Sequence, residues 1–119
     1  MMNEKGNEMN TEMTLALGKY LDAIVADMES WYSTSDTDPE YRVKALAEFK
    51  DGLGFTEGNK YIKVVKRGSV HSFIVNTDDD KKFKRGDILM AAGWASPARN
   101  FARGNIFGSY AVRWTGPAI

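Results

Sequence analysis

An α+β domain with its helices first is the fold class this sequence predicts, on three observations. Apolar residues recur at helical spacing before residue 52, they alternate at strand spacing after residue 60, and glycine turns cut the second half into short pieces. A chain of 119 residues, 43% hydrophobic and 27% charged, suits a single globular core. The pattern divides it into a flexible arm at 1–10, a helical segment at 11–52 and a small five-stranded antiparallel β-barrel at 53–119.

The arm is polar and aperiodic. From Met13 onward, Leu17, Leu21, Ile24, Met28 and Trp31 line one face of a first helix, which ends in the Ser33 to Thr37 cluster. Asp38-Pro39-Glu40 opens a second helix with a cap, a proline at the first position and an acid at the positive end of the dipole. Val43, Leu46 and Phe49 form its apolar side and Gly52 is its C′ glycine; Leu53 to Asn59 reads as a loop.

Strands are expected at Tyr61–Lys66, Ser69–Asn76, Ile88–Ala92, near Phe101–Phe107 and at Tyr110–Trp114, with a tight turn at Arg67-Gly68. Five strands in about 55 residues leave no room for crossover helices, which excludes a parallel sheet. In the 69–76 strand, Phe73 and Val75 point one way and Val70 and Ile74 the other, so both faces are apolar: one meets the barrel core, the other a helix or a second subunit. Strands left at the rim make edge pairing into a homo-oligomeric ring a natural assembly.

With no cysteine and one histidine, disulfides, thiolate nucleophiles and the usual zinc and iron–sulfur sites are excluded. No cofactor box is present and no catalysis is expected; nor does a leader or membrane span appear, which points to the cytoplasm. Asp78-Asp79-Asp80 reads as a solvated turn rather than a metal site, and His71 as a half-exposed strand residue set opposite Ser69 and Ser72. The zero net charge conceals a division: residues 1–59 carry twelve acids and five bases, a net −7, and residues 60–119 carry eleven bases and four acids, a net +7. Such asymmetry implies a basic working face, or attraction between acidic and basic parts.

The basic half interleaves cations with aromatics: Arg99 and Arg103 alternate with Trp94, Phe101 and Phe107, and Lys81, Lys82, Lys84 and Arg85 stand upstream. Guanidinium planes and rings stack on bases while charge meets phosphate, the needs of single-stranded nucleic acid binding. The alternative is that the aromatics are core and the cations an ordinary solvated surface.

Phe83 to Met90, followed by Gly93 to Phe107, resembles small tailed-phage proteins of marine cyanophage type, over about residues 60–116. Within it, Arg103-Gly104-Asn105-Ile106 is similar to the Arg-Gly-(x)-Asn core of the Sm2 motif of Sm and LSm proteins. The resemblance implies an Sm-like, SH3-type barrel after an N-terminal helix, ring assembly, RNA or DNA as the partner, and the cytoplasm of an infected bacterial host. It would make Arg103 the base-contacting arginine and Asn105 the brace of its loop, with Asn76 near the Sm1 asparagine. The acid preceding that asparagine is absent here and a second helix is inserted. Glycine between Arg103 and Asn105 also fits a plain structural turn, with Arg103 paired to Asp87 or to an acid of the first helix. A phage structural protein that self-associates through acidic helices and a basic barrel, without nucleic acid, is the rival reading.

Overall fold

The computed structural model describes residues 11–34 and 36–117, so the arm at 1–10 lies outside the described residues. Two helices, α1 (Thr11–Ser33) and α2 (Pro39–Gly52), precede six strands: β1 (Leu53–Glu57), β2 (Tyr61–Lys66), β3 (Ser69–Val75), β4 (Ile88–Leu89), β5 (Val112–Arg113) and β6 (Gly116–Pro117). The first four pair antiparallel as one sheet in the order β1-β2-β3-β4, and β5 and β6 form a separate ribbon. The class is therefore α+β with helices first. Among the described residues no helix is long and apolar enough to cross a membrane.

α1 buries Met13, Leu17, Tyr20, Ile24, Met28 and Tyr32. The buried stripe is turned slightly from the expected one: Tyr20 and Tyr32 replace Leu21 and Trp31, and Trp31 is half exposed. Polarity explains the first exchange, because the Tyr20 hydroxyl meets the Ser72 hydroxyl at 2.7 Å inside the core, a partner leucine could not use. In α2 only Phe49 is fully buried, and Val43, expected on the apolar side, faces solvent. Pro39 sits in the first turn as expected, while the Asp38 side chain makes no cap hydrogen bond. Gly52 is the last helical residue rather than a C′ glycine, and the chain runs straight into β1 from an extended Leu53. Glycine is needed there for a different reason: a Cβ would stand 2.6 Å from Arg67 Cγ, where the β2–β3 turn presses on the helix end.

The presumed loop at 53–59 is largely a strand. Leu53 to Glu57 pair with Lys66 to Ile62 in unbroken register, although Gly54 and the exposed residues 55–57 hide the alternation. The β2–β3 hairpin turns at Arg67-Gly68 as read, with positive φ at both residues (35° and 82°), the mirror-type turn that suits a twisted hairpin.

The expected closed five-stranded barrel is not what the chain forms. The strand expected at Ile88–Ala92 shortens to Ile88–Leu89, and Phe101–Phe107 contributes only the isolated bridges Asp87↔Asn105 and Gly104↔Tyr110. Residues 110–114 reduce to Val112–Arg113, which pairs with Gly116–Pro117. The physical reason is compositional: Gly93, Ser96, Pro97 and Gly104 (φ 138°) interrupt any continuous ladder after β4.

The two apolar faces of the sheet are both covered from within the chain. Ile62, Val64, Ile74 and Ile88 join the helical side chains in one core. Phe73, Val75 and Leu89 form a second with Phe83, with Ala91 and Ala102 packed against it, so the loops after β3 fold back over the far face. Neither face waits for a second subunit to cover it.

Between Val64 and Val65 the β2–β3 register shifts, so that His71 is an extra residue in β3. This bulge overturns the alternation argument. His71 and Ser72 are both buried, 2% and 0% exposed, and His71 Nδ1 lies 2.8 Å from Ser72 Oγ. His71 Nε2 sits 2.8 Å from the Arg113 carbonyl, which can only accept, so Nε2 carries the proton and Nδ1 accepts from Ser72. The order is then Tyr20 O–H to Ser72, Ser72 O–H to His71, and His71 N–H to Arg113. The Trp114 amide donates to Asp27 Oδ2 at 2.9 Å, a second tie between ribbon and α1.

Burial, assisted by nearby Lys66 and opposed by the Arg113 carbonyl, lowers the His71 pKa to about 4. Above pH ~6.5 the imidazole is neutral folded or unfolded; as pH falls, the unfolded chain takes up a proton that the folded one refuses until about pH 4. Stability should therefore fall between those limits by on the order of 3 kcal/mol. Urea unfolding across that range tests this: His71→Gln should show a flatter profile than wild type, and parallel profiles would refute the assignment.

Candidate nucleic-acid interface

The segments connecting β3 to β4 and β4 to β5 carry nearly every residue singled out for nucleic acid binding, and the structure sorts them into three groups.

The first group is internal scaffolding. Asn76, 3% exposed, donates from Nδ2 to the Gly58 carbonyl at 2.9 Å and accepts from Arg85 Nη1 at 3.1 Å. Arg85 in turn donates to Asp78 at 3.0 and 3.4 Å. Asn105 donates from Nδ2 to Asp87 Oδ1 at 2.9 Å and to the Arg85 carbonyl at 3.0 Å, and its Oδ1 accepts from the Phe107 amide at 2.7 Å. Asp87 is further occupied by the Lys84 amide at 2.9 Å. Asp87 is thus partnered by Asn105 and a backbone amide, and not by Arg103.

Two glycines make this packing possible. Gly86 (φ 90°) would place a Cβ 2.6 Å from the Phe107 ring and 2.9 Å from Asn105 Oδ1, and Gly104 (φ 138°) one 2.7 Å from Tyr110 Cβ. Both backbone conformation and space forbid a side chain at either position.

The second group is a clamp between the acidic turn and Arg99. The guanidinium grips Asp80 with two hydrogen bonds, 2.9 and 3.0 Å, also reaches the Tyr61 hydroxyl, and lies 4.9 Å from the Phe83 ring centre. Asp80 Oδ1 accepts the Lys82 and Phe83 amides as well, at 2.8 and 3.0 Å. The Arg99 pairing first, then those two amides, holds the Asp80 carboxyl well below the usual carboxylate range, and Asp80 raises Arg99 in return. The solvated-turn reading of 78–80 holds for Asp78 and Asp79, which are exposed, and needs correction at Asp80, whose side chain is 1% exposed. Among the described residues no group of three metal-ligating side chains gathers.

The third group remains available to a ligand. Lys81, Lys82 and Lys84 are exposed, and Lys82 Nζ donates to the Arg99 carbonyl at 2.7 Å. Trp94 is 58% exposed with Lys63 Nζ 4.3 Å from its ring centre, a partner the sequence did not suggest. Arg103 differs from all of these. It is 8% exposed, its guanidinium carbon stands 4.0 Å from the centre of the half-exposed Phe101 ring, and its Nε has no acceptor. None of the ion pairs among the described residues involves it.

Lys60 also belongs to this surface, 5.7 Å from the Tyr61 ring centre. The structure thus brings together Arg99, Asp80, Tyr61, Phe83 and Lys82, and separately Arg103 with Phe101, while Arg85, Asn76 and Asn105 are spent on holding loops. The Asp80 turn had a local signal, since an aspartate followed by amides two and three residues on is a standard loop closure. Its pairing with Arg99, nineteen residues away, had none.

The chain matches no family model, no curated protein and no solved structure.

Gly104→Ala should cost roughly 2 kcal/mol or more in urea unfolding, since it combines strain with a clash. Gly108→Ala, which meets nothing within 4 Å, should stay within about 0.5 kcal/mol of wild type. Equal effects at the two glycines would remove the argument for a close approach at Gly104.

Proposed function

We propose that the protein binds single-stranded nucleic acid through its loop-bearing basic half, with the Arg103–Phe101 stack as the point of recognition. The observation that carries this is the buried guanidinium of Arg103, stacked on a half-exposed ring with an unfilled donor and no carboxylate partner among the described residues. A buried N–H donor left without an acceptor costs about 1–3 kcal/mol. A phosphate oxygen or base edge supplies the missing acceptor, and the open side of Phe101 offers a base a stacking surface. Lys81, Lys82 and Lys84 add long-range attraction, whereas Arg85 and Arg99, already neutralised by Asp78 and Asp80, act by fixing the loops.

The likeness of Arg103-Gly104-Asn105 to the Sm2 core supports the same assignment and favours RNA. The brace made by Asn105 is also the part that likeness would give it. An Sm-type ring needs two complementary open edges; β1 offers one, while the outer side of Ile88 is bonded to residues 103 and 104. The binding proposal is accordingly made for the single chain.

Self-association without nucleic acid is the second reading, favoured by the unpaired outer edge of β1 and the 41% exposure of Phe55 upon it.

Fluorescence anisotropy with labelled single-stranded RNA and DNA separates the two. Binding should weaken steeply from low to high salt, and Arg103→Ala, checked for folding by circular dichroism, should lose about 1–3 kcal/mol. No binding at micromolar concentration in low salt, together with a native mass above the monomer, would select the second reading.

A further inference from the structure

On the opposite side of the molecule from the loops over the second core, α2 and the β2–β3 turn enclose a cleft of about 460 Å³, within the range of small-ligand sites. Its apolar lining is aromatic: Phe49 packs edge-on against Trp114 with ring centres 5.9 Å apart, and Tyr32 and Tyr41 add further ring surface. Its charge is unbalanced. Lys44, Lys66 and Arg67 line it against one carboxylate, Glu48, which holds Arg67 only loosely at 3.5 Å.

Two features mark the cations as more than surface decoration. Lys66 is partly buried 5.9 Å from the Trp114 ring centre and donates to a single acceptor, the Thr115 carbonyl at 3.1 Å, although an ammonium has three donors. Arg67 holds φ 35°, among the described residues the one non-glycine in the left-handed region, at a turn position that asparagine or glycine would fill without strain.

We propose that this cleft binds a small organic anion with a planar aromatic body, an aromatic carboxylate or phosphate ester, its ring against Trp114 and Tyr41 and its charge between Lys66 and Arg67. Charge excess selects an anion, and the aromatic lining selects a flat apolar body. The site is separate from the Arg103 surface, so either proposal can fail without the other.

The test uses the full chain, 2-naphthoate as probe, neutral 2-naphthamide and inorganic phosphate as comparators, and NMR shifts of the assigned Trp114 indole and residues 66 and 67. Naphthoate should bind with a dissociation constant on the order of 0.1–1 mM, with the amide about tenfold weaker. Arg67→Asn should weaken naphthoate several-fold while leaving the thermal midpoint equal or higher, because asparagine tolerates the turn geometry. Lys66→Met should weaken it similarly, and Lys19→Met, an equal charge change on the exposed side of α1, should not. The proposal is overturned if the amide binds as well as the acid, if phosphate alone binds as well as naphthoate, if the shifts lie elsewhere, or if Arg67→Asn leaves affinity unchanged.

Discussion

One inserted residue in β3 governs how the halves of this molecule meet. Without the bulge at His71, strict alternation would send either the imidazole or the Ser72 hydroxyl to the far face of the sheet. With it, both turn toward α1, and the Tyr20 hydroxyl finds a polar partner among mainly apolar core side chains. Every hydrogen in the sequence Tyr20, Ser72, His71, Arg113 has one acceptor, so the arrangement is satisfied only by neutral imidazole in one tautomer. The ring of His71 also meets Tyr20 edge-on at 5.9 Å, and Tyr20 meets Tyr110 at 5.3 Å, so packing reinforces the polar order.

The far face solves a different problem. Its apolar residues are sealed by connecting segments whose backbone hydrogen bonds form isolated bridges rather than continuous ladders, and such segments gain from further restraints. Asp80 and Asp87 provide them, each accepting backbone amides of its own loop and then a side chain from a distant one. Of the eleven cations of the second half, two are paired within it, Arg99 to Asp80 and Arg85 to Asp78. Arg103, the one buried Lys or Arg among the described residues, stacks on a ring and makes none of their ion pairs, which is why the binding proposal rests on it.

The fold was legible where a single periodicity dominates. Both helices and the β2–β3 hairpin follow from residue spacing and one Arg-Gly turn. What failed was whatever depended on a local exception. β1 was obscured by Gly54 and three exposed residues, the His71 environment by a bulge that carries no sequence mark, and the later strands by glycines and a proline that fragment the ladder into bridges. For the candidate surface, the interleaving of arginines with aromatics pointed to the right segment. It could not apportion them, because whether an arginine is paired depends on carboxylates far along the chain: Asp80 claims Arg99, and among the described residues no acid forms an ion pair with Arg103.

The ribbon at 112–117 has an implication for how the protein comes into being. α1 obtains its buried hydrogen-bond chain and the Asp27 tie only when Arg113 and Trp114 arrive, about eighty residues after the helix itself is made. A nascent chain interrupted before the ribbon therefore has Ile62, Val64, Ile74 and Ile88 to lay on the helical stripe, but no acceptor for the His71 N–H and no amide for Asp27.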